Sequence, residues 1–157
     1  MRVLVMSCHP CDESFTTYVA ARVVAVLSSR HQVRHHDLYT ADGIGLLEET
    51  EAVVWVYPTW WSGPPARMLE FIHAHFGAKH PHLDKIEKMV VVTSHGSSWW
   101  VNGFEGGVGK RLMTRALPTL AAPGCRTRWI AMYDIDRSTE RDRVRFVARV
   151  ERELSRL

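Results

Sequence analysis

The chain has 157 residues, of which 46% are hydrophobic and 24% charged, and its formal net charge is +3. This length suits one domain, and the composition is that of an ordinary globular protein, which excludes disorder, collagen-like repeats and coiled coils. The thinly spread positive charge does not indicate nucleic-acid binding, and no apolar run approaches the roughly 20 residues of a membrane span.

The first half of the chain predicts a strand, a helix and a second strand. Residues 2–7 are apolar on both faces, as in a strand that helices cover on either side. Apolar positions at helical spacing predict a helix over 14–27, with Ser14 or Asp12 as its cap. A weakly alternating stretch at 32–37 predicts a short strand, and 38–49 is read as a connection.

The second half continues the alternation of strands and helices. Strands are predicted at 52–57, where Pro58 ends the run, at 87–94 and at 126–133. A helix is expected to begin at Pro64 or Pro65, and another to cover 107–120. The apolar stripe of the C-terminal helix is read as Val144, Val147, Val150, Leu154 and Leu157.

Short connections between alternating strands and helices predict an α/β fold of one domain over 1–157. We expect a doubly wound, five-stranded parallel sheet in the order 2-1-3-4-5, with helices on both faces. In such sheets a ligand lies beyond the carboxyl ends of the strands. Three loops therefore carry the functional prediction: 8–15, 58–65 and 94–107.

The first loop leads from a buried strand into a helix N-terminus. Backbone N–H groups there favour an anion, and Ser14, Thr16 and Thr17 add hydroxyl groups. This indicates a phosphate site without the glycine-rich cradles of nucleotide hydrolases or dinucleotide folds. The alternative is that Ser14 only caps its helix.

The second and third loops offer the walls of a pocket. Trp60 and Trp61 lie on a proline-stiffened turn, where a flat ring system could cover them; the alternative is packing into the core or a subunit interface. The loop at 94–107 is rich in small residues whose N–H groups can approach a ring edge. The alternative is that this loop is a mobile segment without a binding role and that His95 takes no part in a site. Together the three loops describe a pocket for flavin mononucleotide (FMN).

Three motifs carry a resemblance to a known family. They are H-P-x-x-x-S-F at 9–15, Y-P-T-W-W-S-G-P-P-A-R-M-L-E-F at 57–71 and T-S-H-G at 93–96. In this order, over roughly residues 1–120, the chain resembles the flavodoxin-like NAD(P)H:quinone oxidoreductases. That family includes the modulators of drug activity and the ancillary subunits of glutathione-gated potassium efflux systems.

The resemblance implies a set of cofactor-binding residues. His9, Ser14 and Phe15 would lie by the phosphate-bearing chain of the flavin. Along its ring system it implies Pro58, Thr59, Trp60 and Trp61, and at the pyrimidine side Thr93, Ser94, His95 and Gly96. The chain departs from the family in having His95 where a glycine is often found. Trp99, Trp100 and Asn102 stand where some members have a helper Tyr and His, so no catalytic side chain is assigned.

The same resemblance implies the activity. We expect two-electron transfer from NADPH or NADH through FMN, with FAD less favoured by the chain length, to a quinone or similar flat acceptor, with ping-pong kinetics. A homodimer is implied, in which Trp99, Trp100 and Phe104 would form a lid or interface, with core packing as their alternative. The competing functions are a flavodoxin-type electron carrier and a flavin-binding regulatory subunit of a transporter.

Other motifs suggest weaker alternatives. Cys8 and Cys11 have the spacing of a redox dithiol, although they follow the first strand. Four histidines could contribute to a zinc site: His73, His75, His80 and His82. On a helix, His73 and His75 would point about 200° apart and could not share one ion without distortion. We therefore expect no metal. A phospho-accepting receiver domain would need an aspartate at the end of the third strand, where this chain has Tyr57.

The N-terminus and the cysteine content bear on location. The opening apolar run is broken by Ser7 and His9 before the core of a signal peptide could form. Three cysteines are too few for a disulfide framework, which is typical of a reducing compartment. We therefore expect a cytoplasmic protein.

Overall fold

The five predicted strands form one parallel sheet in the order β2-β1-β3-β4-β5. The computed structural model describes residues 1–40, 45–76, 83–98, 100–101 and 107–157. The strands are β1 (Arg2–Ser7), β2 (Gln32–Asp37), β3 (Ala52–Thr59), β4 (Lys88–His95) and β5 (Arg126–Met132). The predicted flavodoxin-like fold is confirmed.

The helices pack on both faces of this sheet. The described residues include α1 (Phe15–Ser28), α2 (Ala66–His75), the short α3 (Val108–Arg111) and α4 (Glu140–Leu154). One apolar core lies between the sheet and α1 with α4, and includes Val23 and Val150. The other lies between the sheet and α2 and includes Trp55 and Met68. Burial on both faces explains why the central strands are continuously apolar.

β3 runs two residues beyond the predicted end. Pro58 was expected to stop the strand, yet it pairs with Ser94 of β4. The pairing of β3 with β1 already ends at Val56. Beyond that point β3 has a free edge, where a residue without a backbone N–H costs little. The extension carries Thr59 to the rim of the sheet.

The helix predicted over 107–120 is wrong as a single regular element. After the four residues of α3 the chain forms a wider π-type turn (Leu112–Ala116) and then a 3₁₀ turn (Leu117–Leu120). Pro118 explains the break, because proline has no N–H to donate and its ring clashes with the carbonyl four residues earlier. That carbonyl, on Thr114, instead accepts a hydrogen bond from the Thr127 hydroxyl at 3.4 Å.

The buried stripe of α4 is also corrected in one position. Val147, Val150 and Leu154 are buried as predicted, but Val144 is 61% exposed and Phe146 is buried in its place. Phe146 packs against Phe15 of α1, with ring centroids 6.2 Å apart. The other predicted bounds differ by a residue or two at the ends.

In the described parts of the chain, no helix is long and apolar enough to cross a membrane.

Candidate functional site

A cavity of about 680 Å³ opens at the carboxyl edge of the sheet. Its volume is within the range of small-molecule sites, roughly 300–1,000 Å³. Ten of the eleven predicted cofactor-binding residues line it: His9, Ser14, Phe15, Pro58, Thr59, Trp60, Trp61, Ser94, His95 and Gly96. The predicted loops therefore meet at one place, as the strand order requires.

The first loop ends in a capped helix. The Ser14 hydroxyl accepts a hydrogen bond from the Thr17 N–H at 3.1 Å and lies 2.9 Å from the Thr17 hydroxyl, which donates to the Cys11 carbonyl. Ser14 thus caps α1, the simpler of the two roles predicted for it. The first turn of α1 still presents its positive dipole end to the cavity, beside the buried Thr16, so an anion would be stabilised there.

His9 connects the first loop to the second. The Cys11 N–H donates to His9 Nδ1 at 3.0 Å. The same ring nitrogen lies 3.1 Å from the Cys11 carbonyl oxygen, so both backbone polar groups of Cys11 hold the imidazole in place. The imidazole lies 5.9 Å from the ring of Trp60, with the two planes tilted by 57°. His9 and Trp60 thus form neighbouring parts of the same wall.

Residues 60–63, which we call the tryptophan turn, form a tight reversal at the rim of the cavity. The N–H and C=O groups of Trp60 and Gly63 exchange two hydrogen bonds of 3.0 Å. The two central residues are left-handed, with φ of 49° at Trp61 and 60° at Ser62. Such backbone costs on the order of 1–3 kcal/mol per non-glycine residue and persists only where its surroundings hold it.

Neither tryptophan of this turn belongs to the core. Trp60 is 42% exposed and Trp61 is fully exposed. The core-packing alternative is therefore wrong for this pair. Large apolar rings held in solvent by a strained turn are typical of a surface that another molecule covers.

The third loop contributes less side-chain surface than predicted. Thr93 does not line the cavity: it is buried, and its hydroxyl is 2.8 Å from that of Thr59. His95 is also buried and stacks on Tyr133, with centroids 4.6 Å apart and planes 22° from parallel. Side chains at alternate positions of a strand share a face, so Thr93 and His95 both turn towards the α2 side of the sheet. Besides His95, this wall of the cavity is lined by Ser94, Gly96 and Ser97.

Sequence reasoning missed a fourth loop, which follows β5. Ile135 and Asp136 line the cavity, and the Asp134 N–H donates to the Ser97 carbonyl at 3.2 Å. A side chain at Gly96 would place its Cβ 2.6 Å from Oδ2 of Asp136. Because β5 neighbours β4 at the same edge, the loop after β5 could have been included from the predicted strand order.

The dithiol alternative is disfavoured by burial. Cys8 is buried in the core, and burial, followed by the nearby charge of Asp37, raises the pKa of its thiol to about 12. Cys11 is exposed. A thiol that stays protonated near neutral pH is a poor nucleophile, so Cys8 is not suited to the attacking role in a redox dithiol.

Several predicted residues lie outside the described part of the chain: His80, His82, Trp99, Asn102 and Phe104. Trp100 is described and is exposed, at 68%. Within the described ranges, no three or more His, Cys, Asp or Glu side chains are grouped so that they could hold a metal ion.

Comparison with known proteins gives one family match. Residues 1–120 match the model of a family described as having a flavodoxin-like fold. No curated protein matches the sequence.

Solved structures with the same fold are similar along their whole length. A protein from Streptococcus mutans UA159, Smu.1420, is 19% identical with a TM-score of 0.85, each chain covered to 100%. An NAD(P)H:quinone oxidoreductase from Methanothermobacter marburgensis is 18% identical with a TM-score of 0.74, covering 99% of this chain and 96% of the other. An FMN-dependent NADH-azoreductase from Bacillus anthracis, solved with FMN, is 11% identical with a TM-score of 0.77, at 99% and 98% coverage.

These similarities agree with the five-stranded parallel sheet of this chain. The family match covers 120 of the 157 residues and includes all three loops that carry the predicted motifs. The chain is a member of the family with a flavodoxin-like fold.

Proposed function

We propose that this chain is an FMN-dependent NAD(P)H oxidoreductase that reduces quinones or similar flat acceptors. One observation carries the proposal: the cavity combines a capped helix N-terminus with a partly exposed tryptophan wall at the edge of a flavodoxin-like sheet. These are the complements of a phosphate and of a planar ring, the two ends of FMN. The printed names of two similar structures, a quinone oxidoreductase and an FMN-dependent azoreductase, support this class.

The residues present fit this cofactor. Its phosphate would be held at the α1 N-terminus, near His9, Ser14 and Phe15, because amide dipoles there favour negative charge. The ring system would lie along four residues of the second loop: Pro58, Thr59, Trp60 and Trp61. Its pyrimidine side would approach Ser94, His95 and Gly96, where His95 contributes chiefly backbone because its ring is packed against Tyr133. Thr93 would not contact the ring itself but would hold the Thr59 side chain in place through the contact between their hydroxyl groups.

When bound, FMN would supply hydride acceptance from NAD(P)H and two-electron delivery to an acceptor. The chain's own part is positioning: the tryptophan turn offers a flat surface, and the backbone near Gly96 offers polar groups to the ring edge. No side chain needs to act as a nucleophile or general base. If the two substrates use the same open face in turn, the kinetics are ping-pong.

We further propose a homodimer in the cytoplasm, with FMN preferred to FAD. Exposed apolar side chains stand near the cavity or on the adjoining segments, and a second copy could cover them: Trp61, Trp100, Val101 and Val108. A chain whose three cysteines are all free suits a reducing compartment.

The experiment is an anaerobic reaction of the FMN-loaded protein. NADPH or NADH is mixed with it and flavin absorbance is followed, and steady-state oxidation of the nucleotide is then measured with a quinone and with an azo dye. Rapid bleaching, turnover and parallel double-reciprocal plots are expected. A bound flavin that is inert to both nucleotides would instead support an electron carrier or a regulatory flavin-binding subunit.

A further inference from the structure

The position of the tryptophan turn depends on contacts beyond the turn itself. The two hydrogen bonds between Trp60 and Gly63 close the turn but do not fix its height above the sheet. Its two left-handed residues, Trp61 and Ser62, need outside support if this conformation is to persist. Support comes from the chain segment that enters α3.

The Gly109 N–H donates a hydrogen bond of 2.8 Å to the Ser62 carbonyl. First-turn N–H groups of a helix have no partner within the helix, and the residue before α3, Gly107, has no side chain to supply a cap. The Ser62 carbonyl therefore takes the place of a capping side chain. This one hydrogen bond gives a first-turn N–H group of α3 an acceptor and also holds the tryptophan turn against α3.

The approach at this point is too close for a side chain. A Cβ at Gly109 would lie 2.5 Å from the Ser62 carbonyl oxygen and 3.0 Å from Gly63 Cα. Both are backbone atoms of the turn, which cannot rotate away. At Gly96, in contrast, the obstacle is the end of the Asp136 side chain, which can rotate.

We propose that the start of α3 positions the tryptophan turn for ring binding, with Gly109 as the positioning residue. This rests on the proposed function, because the consequence is read out through FMN. A side chain at 109 must push the turn away from α3 and shift Trp60 and Trp61 relative to the end of β3. The fold can persist while the ring-binding wall moves.

The test is the affinity of the Gly109→Ala variant for FMN, measured by titration of flavin fluorescence. We expect Kd to rise at least tenfold, which corresponds to about 1.4 kcal/mol. The matched control is Gly124→Asn: a Cβ there meets no heavy atom within 4 Å, and asparagine tolerates the left-handed backbone of this position. The control should stay within twofold of the unmodified protein.

A spectroscopic readout separates positioning from a general loss of stability. At saturating FMN, bound flavin in Gly109→Ala should keep more of its emission and have an altered visible circular dichroism, because the tryptophan quenchers have moved. A double-mutant cycle adds a second separation. In a background that lacks both tryptophans, Trp60→Ala with Trp61→Ala, the Gly109→Ala change should alter Kd by less than threefold, since the ring surface that it displaces is already gone.

Three results would overturn the inference. One is an unchanged Kd for Gly109→Ala while the unmodified protein binds FMN; another is the same fold-change in both backgrounds. The third concerns the unmodified protein and can be measured even if the variant does not fold or FMN does not bind. There the Gly109 amide should be strongly protected from hydrogen exchange. Exchange at the rate of a free amide would refute the contact. Failure of the unmodified protein to bind FMN would count against the proposed function instead.

Discussion

Replacing Trp60 with alanine should weaken FMN binding by an amount that the structure bounds. With 42% of this side chain exposed, roughly 100 Å² of ring surface can still be covered by a ligand. At about 25 cal/mol per Å², full coverage is worth about 2.5 kcal/mol, or ~70-fold in Kd. Coverage of half this area would give about eightfold. We therefore expect Trp60→Ala to raise Kd by a factor in this range.

The assay is equilibrium titration of FMN against the apoprotein, followed by quenching of flavin fluorescence. Tyr39→Ala is the matched control, because Tyr39 is also a partly exposed aromatic residue but does not line the cavity. Its Kd should stay within twofold of the unmodified protein. If Trp60→Ala binds FMN as tightly as the unmodified protein, or if the control loses as much, the ring does not lie on the tryptophan wall.

Three further predictions concern the cysteines and the last helix. Because burial raises the pKa of Cys8, iodoacetamide at pH 8 should label Cys11 and leave Cys8 largely unmodified; equal labelling by mass spectrometry would contradict this. Leu154→Ala, in the core, should cost about 2–5 kcal/mol of unfolding free energy, whereas the exposed Val144→Ala should change it by less than about 0.5 kcal/mol; equal losses in urea unfolding would show that the buried stripe is misassigned. Hydrogen bonds from the capping threonine lower the pKa of Asp142, so this carboxylate stabilises the fold above the usual aspartate pKa and loses that effect as the pH falls through the lowered value. Asp142→Asn should therefore lower Tm at pH 7 but progressively less in acid, and a difference in Tm that does not vary with pH would refute this.

The sheet and its ligand edge could be predicted because their signals are local. Continuous runs such as Val53–Val56 indicate strands buried on both faces, and a serine before an apolar periodic stretch indicates a helix cap. Once the alternation of elements fixed the strand order, the meeting of three loops at one edge followed from topology.

The details of the wall could not be predicted in the same way. Left-handed backbone is normally signalled by glycine or asparagine, so nothing in the local sequence indicates it at Trp61. The contact between Ser62 and Gly109 joins distant segments, and only the folded chain shows it. His95 is predicted at the ring edge, but nothing in the local sequence indicates that its ring stacks on Tyr133.

Binding of FMN by the purified apoprotein is the most direct test of the central claim, that the cavity at the carboxyl edge of the sheet holds a flavin. Added FMN should bind at one molecule per chain, with quenched emission and a perturbed absorption band near ~450 nm, a region typical of flavins. A folded protein that leaves the spectrum and the fluorescence of FMN unchanged at every concentration would contradict the account.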